Sequence, residues 1–487
     1  PATAGAAPVP AKAPGTRRGP SSSCHDGRVP RFLAAQPDAR LLPLPWHTPL
    51  AEWPHEHLVA LPRGISRHVV RFIQVGDEVY AAKEVIEAAA MHEYRMLTDL
   101  NRLDTPAVEP TGVVTNRVDA DGAPLDSILL TRHLQFSLPY RSLFSTGVRR
   151  ETVSRLLDAM VVLLARLHLI GFLWGDVSLS NILFRRDAGE FSAYLVDAET
   201  AELHEMLSDG QRLHDLEIAM VNLFGEFSDL EAGRMLDESL DPLSLVEQIE
   251  SRYRDLWREL TGVEKFAGSE LTRIESRVRR LNQLGFDVAE LDIRTSPTGD
   301  TITIQPKVVD AGHHSRRLLR LTGLDTEEHQ ARRLLNDLDT YRARTNQGHV
   351  EESVVAHQWL TRDFEPVVTA IPPDLAGKRE PAQIFHEVLD YRWYQSQREH
   401  RDVPLTEAVQ GYIRDVLSAL PDEVISHEAF TPLGEQRQLA NPLDPSQGFA
   451  EEEEMPEDPW AAEAYAPGTE VLPDFLDIEA LRRKSKG

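Results

Sequence analysis

The chain has 487 residues, with 78 acidic against 52 basic, one cysteine and 41% apolar residues. That length and apolar content suffice for one large domain or two to three ordinary ones with a real core. A formal net charge of -26 excludes a general basic face for nucleic acid or anionic membranes, and the lone Cys24 excludes an intramolecular disulfide or a cysteine zinc cluster, pointing to a reducing, cytoplasmic setting.

Pro1 to about Val29, rich in Ala, Pro, Gly and Ser without an apolar core, reads as a disordered arm and not as a signal peptide. Val69 to Gln74, a turn at 75–78 and Val79 to Val85 predict a β-hairpin, and Ala90 to Leu100 a helix. A long helix is expected from about Arg150, with Val153, Leu156, Leu157, Met160, Val161, Leu164 and Leu167 at helical spacing. The most apolar stretch, Leu156 to Trp174, carries Asp158, Arg166 and His168, each costly at a bilayer centre, so no membrane span is expected. Residues 230–430 read as mainly helical, including Ala382 to Trp393 and Leu405 to Leu420, with a β-hairpin at 287–309 around Ser296-Pro297-Thr298-Gly299-Asp300. From Asn441 onward, twelve acidic residues face four basic ones, which predicts a solvated acidic tail at 441–487. Its end, Phe475 to Arg483, reads either as a short amphipathic helix or, preferentially, as a frayed terminus.

Only seven of the basic residues are lysines, leaving 45 arginines, and Lys83 is the one lysine between Lys12 and Lys265. A strand lysine is most often a solvated one. In a composition so dominated by arginine, however, a retained lysine suggests a compact point charge that a planar guanidinium would not replace. Glu93, ten residues on, is either the group that holds that ammonium or an exposed helix acid. The most informative run is Leu167-His168-Leu169-Ile170-Gly171-Phe172-Leu173-Trp174-Gly175-Asp176-Val177-Ser178-Leu179-Ser180-Asn181. It places Asp176 and Asn181 five apart on a loop, and the strand Ala193 to Val196 then ends in Asp197. Two acids and an amide at neighbouring strand ends make a divalent-cation site plus one further carboxylate.

In order and spacing this set resembles the protein-kinase-like superfamily. Asp176 and Asn181 match the second half of the catalytic-loop pattern, Asp197 the metal-binding aspartate, and Lys83 and Glu93 the strand lysine and helix glutamate. The resemblance covers about Leu58 to Asp229. It implies that Lys83 neutralises the α and β phosphates of ATP, Glu93 orients it, Asn181 and Asp197 hold Mg2+, and Asp176 accepts the proton of the attacking hydroxyl. Asp215 resembles the helix acid that buttresses the catalytic loop, although a helix N-terminal acid would look the same.

The departures are as informative. Trp174 and Gly175 stand where histidine and arginine precede the aspartate of most protein kinases, and Ala198 and Glu199 follow Asp197 in place of phenylalanine and glycine. Both are closer to aminoglycoside phosphotransferases and lipopolysaccharide-core kinases. Glu199 reads either as a second metal carboxylate or as a solvated acid. Only 18 positions separate Asp197 from Asp215, which leaves little room for a peptide-binding segment. In the phosphate-loop run, Leu61 to His68, Gly64 is the one glycine, with Ser66 and Arg67 as further candidates, so few backbone amides can approach a phosphate.

The overall layout resembles a bacterial family that joins a lipopolysaccharide-kinase-like (Kdo/heptose kinase-related) N-terminal half to a C-terminal domain of unknown function. The expected fold is α+β: a disordered arm at 1–29, a two-lobed protein-kinase-like domain at 30–229 (small lobe about 30–135, large lobe about 136–229), and the mainly helical domain at 230–430. The expected activity is an atypical phosphotransferase that uses ATP and magnesium on a small-molecule, glycan or lipid acceptor. The alternative, motivated by the glycine-poor loop, is a pseudokinase or regulatory scaffold that meets a protein partner through the ends of the chain or the C-terminal domain. In that domain, Asp310-Ala311-Gly312-His313-His314-Ser315-Arg316-Arg317 is either an anion-binding helix start or, preferentially, a solvated loop capped by Asp310 or Ser315. His386-Glu387 lacks the second histidine of a zinc protease, since Asp390 stands there.

Overall fold

The computed structural model describes residues 29–35, 38–59, 61, 67–76, 78–144, 149–262, 264–267, 286–295 and 301–420. Residues 1–28 of the expected arm, the acidic tail, and Gly64 and Ser66 lie outside the described residues.

Strand alternation decides which way the small lobe points its charges. Six strands, β1 (Arg31–Leu33), β2 (Leu58–Val59), β3 (Val69–Val75), β4 (Glu78–Val85), β5 (Pro110–Thr115) and β6 (Ser127–Arg132), form an antiparallel sheet in the order β1-β5-β6-β4-β3-β2. Successive side chains of β4 leave on opposite faces. Tyr80 and Ala82 pack outward against Leu41, Leu44, Trp46, Leu50 and Trp53 of the preceding segment. Val85 faces the other way, into the core shared with helix α1 (Glu87–Arg102) and the large lobe. By the same period Lys83 faces the cleft and Glu84 the outer layer. There Glu84 accepts from Arg117 Nη1 at 2.6 Å and from the Leu50 amide at 3.2 Å. The buried Arg117 also donates to the carbonyls of Trp46, Thr48 and Asp126 at 3.0, 2.6 and 2.6 Å, which ties the N-terminal segment to the sheet.

The large lobe follows as β7 (Ser137–Pro139), α2 (Tyr140–Phe144), α3 (Arg150–Leu169), β8 (Phe172–Leu173), β9 (Ile182–Asp187), β10 (Glu190–Leu195), β11 (Glu202–Leu203), α4 (Asp209–Ala232) and α5 (Pro242–Thr261). Helix α3 buries the apolar positions that its spacing predicted. Helix α4 starts on a capping box between Ser208 and Gln211, and α5 on Asp241, which accepts from the Ser244 amide at 2.7 Å ahead of Pro242. Leu245, Ile249, Tyr253 and Leu256 of α5 share the core of α3 and α4, so that core runs on past Asp229.

Beyond it, β12 (Glu264–Ala267), β13 (Phe286–Thr295) and β14 (Thr301–Ala311) pair antiparallel in the order β12-β14-β13. The expected hairpin is there, and β12 adds a strand too short for its periodicity to be read from sequence. Helices α6 (His313–Thr322), α7 (Glu328–Arg344), α8 (Glu352–Trp359), α9 (Glu365–Thr369), α10 (Pro381–Glu399) and α11 (Leu405–Asp415) then enclose a second core that includes Leu334, Leu338, Trp359, Phe385 and Tyr412. At the start of α6 the N-cap residue is Gly312, and the capping carboxylate comes from another helix. Glu328 from α7 takes the amides of His314 and Ser315 at 2.8 and 3.0 Å and His314 Nδ1 at 2.6 Å. The anion position suggested by the sequence is thus filled by the protein's own carboxylate. Trp393 and Tyr394 are exposed neighbours on α10.

The two cores are joined at the β9–β10 hairpin. Asp187, fully buried, accepts the amides of His329 and Gln330 at 3.1 and 2.7 Å, at the N-terminus of α7 where the helix dipole favours an acid. Arg185 pairs with Glu327 and Glu380 at 2.9 and 2.8 Å, and Gln383 accepts the Ala188 amide at 3.0 Å. The architecture is α+β: a two-lobed region followed by a mainly helical region carrying the hairpin. Among the described residues no helix is long and apolar enough to cross a membrane.

Candidate active site

Lys83 Nζ lies 2.9 Å from Glu93 Oε2, 2.7 Å from Asp197 Oδ2 and 3.1 Å from Glu199 Oε2. Strand β4 delivers the lysine, the inner face of α1 delivers Glu93, and the chain leaving β10 delivers the two acids. Burial on its own disfavours the ammonium, but Glu93 and Asp197 outweigh it and hold the Lys83 pKa above its ordinary value. Glu93, 1% exposed, moves the other way for an acid: burial first, and the neighbouring Asp197 second, push it up to about 8. The two directions are consistent, because three carboxylates around one ammonium leave an excess of negative charge. Lys83 stays charged.

The loop ahead of β9 holds the second group. Asn181 Nδ2 donates to the Asp176 carbonyl at 2.9 Å and to Asp176 Oδ2 at 3.2 Å. From α4, Asn222 Nδ2 donates to Asp176 Oδ1 and to the Val177 carbonyl, both at 3.2 Å. Each carboxylate oxygen of Asp176 therefore has an amide donor. One turn further along α4, Glu226 accepts the amides of Leu179 and Ser180 at 2.6 and 2.9 Å. Earlier on the same helix, Asp215 accepts the amides of Trp174 and Gly175 at 3.0 and 2.8 Å and His168 Nε2 at 3.0 Å, all without solvent contact at the acid. Gly175 has φ +77 and faces Thr200, so the glycine ahead of Asp176 is required by the backbone.

Lys83, Glu93 and Asp197, far apart in sequence, meet at one point. Asn181 is brought to Asp176, and the described acidic groups whose ligand atoms lie within 4.8 Å of one another are Glu93, Asp197 and Glu199. Of the two sequence readings of Glu199, the solvated one fails. Its carboxylate faces Lys83, and its amide donates to Asp197 Oδ1 at 3.0 Å. Sequence reasoning missed Asn222, Glu226 and His68. The first two carried one signal, since 215, 222 and 226 fall on one helical face. His68 reaches Glu199 Oε2 with Nε2 at 2.9 Å.

Comparison with known proteins agrees with the resemblance read from these motifs. Residues 73–223 match the family model described as the Lipopolysaccharide kinase (Kdo/WaaP) family, and residues 255–417 match the Domain of unknown function (DUF4032). None of the curated proteins matches the sequence. A solved structure titled "WaaP in complex with acyl carrier protein" is similar at 16% identity and a TM-score of 0.31, over 52% of this chain and 99% of that one.

Proposed function

We propose, from the premise of a lipopolysaccharide-kinase-like segment at 73–223, that the N-terminal half is a phosphotransferase that uses ATP and magnesium. The observation that carries this reading is the meeting of Lys83 with both Glu93 and Asp197. A lysine charged by two acids from different lobes is a fixed cation at the base of a cleft, and phosphoryl transfer asks mainly for positioning and charge neutralisation.

In this reading Lys83 binds the nucleotide phosphates and Glu93 holds its ammonium. Asp197, clustered with Glu93 and Glu199, offers carboxylate oxygen of the kind that suits magnesium. Asp197 with Asn181 would hold the ion, which when bound neutralises charge on the transferring group. Asp176, aligned by Asn181 and Asn222, takes the proton of the acceptor hydroxyl. The segment after Asp197 is short and is stapled back by pairing of β11 with β8, so it offers no extended platform for a peptide. That favours a small molecule, a glycan or a lipid headgroup as acceptor. The helical C-terminal region, docked on β9–β10 next to the catalytic loop, shapes or regulates that site.

Thermal unfolding with ATP, with and without magnesium, tests the reading. A hundredfold excess of ligand over Kd stabilises by about 2.7 kcal/mol, and the shift is expected to need magnesium and to vanish in Asp197→Ala. The glycine-poor run at 61–68 favours a second reading, a scaffold without phosphotransfer. It predicts no magnesium-dependent shift, and partner binding indifferent to Asp176→Asn.

A further inference from the structure

His68 stands directly before β3, at the end of a run with the single glycine Gly64. Where glycines are few, the donors that meet a phosphate have to come from side chains. His68 Nε2 lies 2.9 Å from Glu199 Oε2, and that same oxygen lies 3.1 Å from Lys83 Nζ. One carboxylate oxygen is therefore shared by an imidazole of the small lobe and the buried ammonium. The contact spans the cleft, with His68 and Glu199 side chains 26% and 25% exposed. To an N–H donor, a carboxylate oxygen and a phosphate oxygen are equivalent, since both are compact anionic acceptors reached at ~2.7–2.9 Å.

We propose that His68 is a ligand of the nucleotide phosphates. It donates Nε2–H to the phosphate oxygen that also takes Lys83, at the position held here by the Glu199 carboxylate. The inference rests on the phosphotransferase reading and adds to it a residue that replaces the missing glycine amides. Glu199 acts as the place-holder: its amide stays anchored on Asp197 Oδ1 at 3.0 Å while its carboxylate gives way. Arg67 is not part of the assignment. It reaches Asp176 only at 4.0 Å with a side chain 79% exposed, a weak pairing in water.

Calorimetric titration of the full chain with Mg·ATP and with adenosine, which has no phosphate, tests the assignment in wild type, His68→Phe, His68→Ala and His68→Gln. Loss of one charge-assisted hydrogen bond is expected to weaken Mg·ATP about tenfold in the Phe and Ala variants. Adenosine binding should be unchanged, and Gln, whose amide donates, should restore most of the affinity. Phe or Ala variants that bind Mg·ATP as tightly as wild type, or that lose adenosine equally, overturn the role of His68 and leave the phosphotransferase reading standing. A wild-type chain that binds no Mg·ATP overturns both.

Discussion

Asp176 is aligned by two amides of different origin. Asn181 belongs to its own loop, whereas Asn222 comes from α4 and fixes the other oxygen. Asn222 is thus a positioning residue that touches neither nucleotide nor acceptor in the proposed reaction. Asn222→Ala is expected to lower ATP turnover by on the order of tenfold with the KM for ATP unchanged, because only alignment of the base is lost. A parallel loss of ATP affinity would show instead that the loop had collapsed. Lys83, Glu93 and Asp197 were legible at this scale because each sits in a short run whose residue type and order are demanded by chemistry. Their mutual distances were not, and neither was the inward turn of Glu199. A lone acid after Asp197 looks the same in sequence whether it faces solvent or an ammonium.

Among the elements, α4 does the most to build the site. Asp215, Asn222 and Glu226 lie along one face; Asp215 and Glu226 accept backbone amides of the loop at 174–181, and Asn222 donates to Asp176. In sequence that face is indistinguishable from a polar helix surface, since the pattern records periodicity and not what lies opposite. The pairing of β8 with β11 is the second device. The His204 backbone amide donates to the Gly171 carbonyl at 2.9 Å, and Gly171 has φ +83. A Cβ at Gly171 would press into the His204 carbonyl oxygen, which is backbone and cannot step aside. Gly171→Ala should therefore cost on the order of 3 kcal/mol, from strain at positive φ together with the clash. Denaturant unfolding measures it, and a loss below about 0.5 kcal/mol, the size of a neutral surface substitution, would show that the segment adjusts freely.

At the scale of the molecule, buried polar groups join the layers. His168 lies between Asp215 and the Tyr253 hydroxyl, at 3.0 and 2.6 Å, which links α3, α4 and α5. Burial pushes its pKa below the ordinary 6.5, against the pull of Asp215. The neutral ring then donates Nε2–H to Asp215 and accepts from Tyr253. With a depressed folded pKa, the unfolded chain binds the proton first. The stability contributed by His168 is complete above pH 6.5 and is lost as the pH falls below it. Glu93, pushed up to about 8, acts in the opposite sense, as its contribution falls while pH rises from 4.5 toward 8. The informative quantity is therefore a difference. Between pH 7 and 5, His168→Gln should lose less Tm than wild type, and equal losses would rule out a buried neutral histidine. The docking of α7 on the β9–β10 hairpin belongs to this scale too. Asp187, Arg185 and Glu327 are unremarkable charges in sequence, and their meeting depends on how two cores are set together.

The amino-acid sequence by itself determined the local conformations and the chemical inventory. The alternation of β4 put Lys83 opposite Glu84, the apolar spacing made α3, and the order Lys83, Glu93, Asp176, Asn181, Asp197 named a kinase-like set. These are properties of a few consecutive residues or of fixed chemical demands. Only the tertiary structure decided that Glu199 meets both His68 and Lys83, that α4 holds the loop carrying Asp176, and that Glu328 fills the helix start at His313. The physical reason is common to all three. Each depends on which charge or donor a distant segment brings within about 3 Å, and spacing along the chain carries no record of that distance.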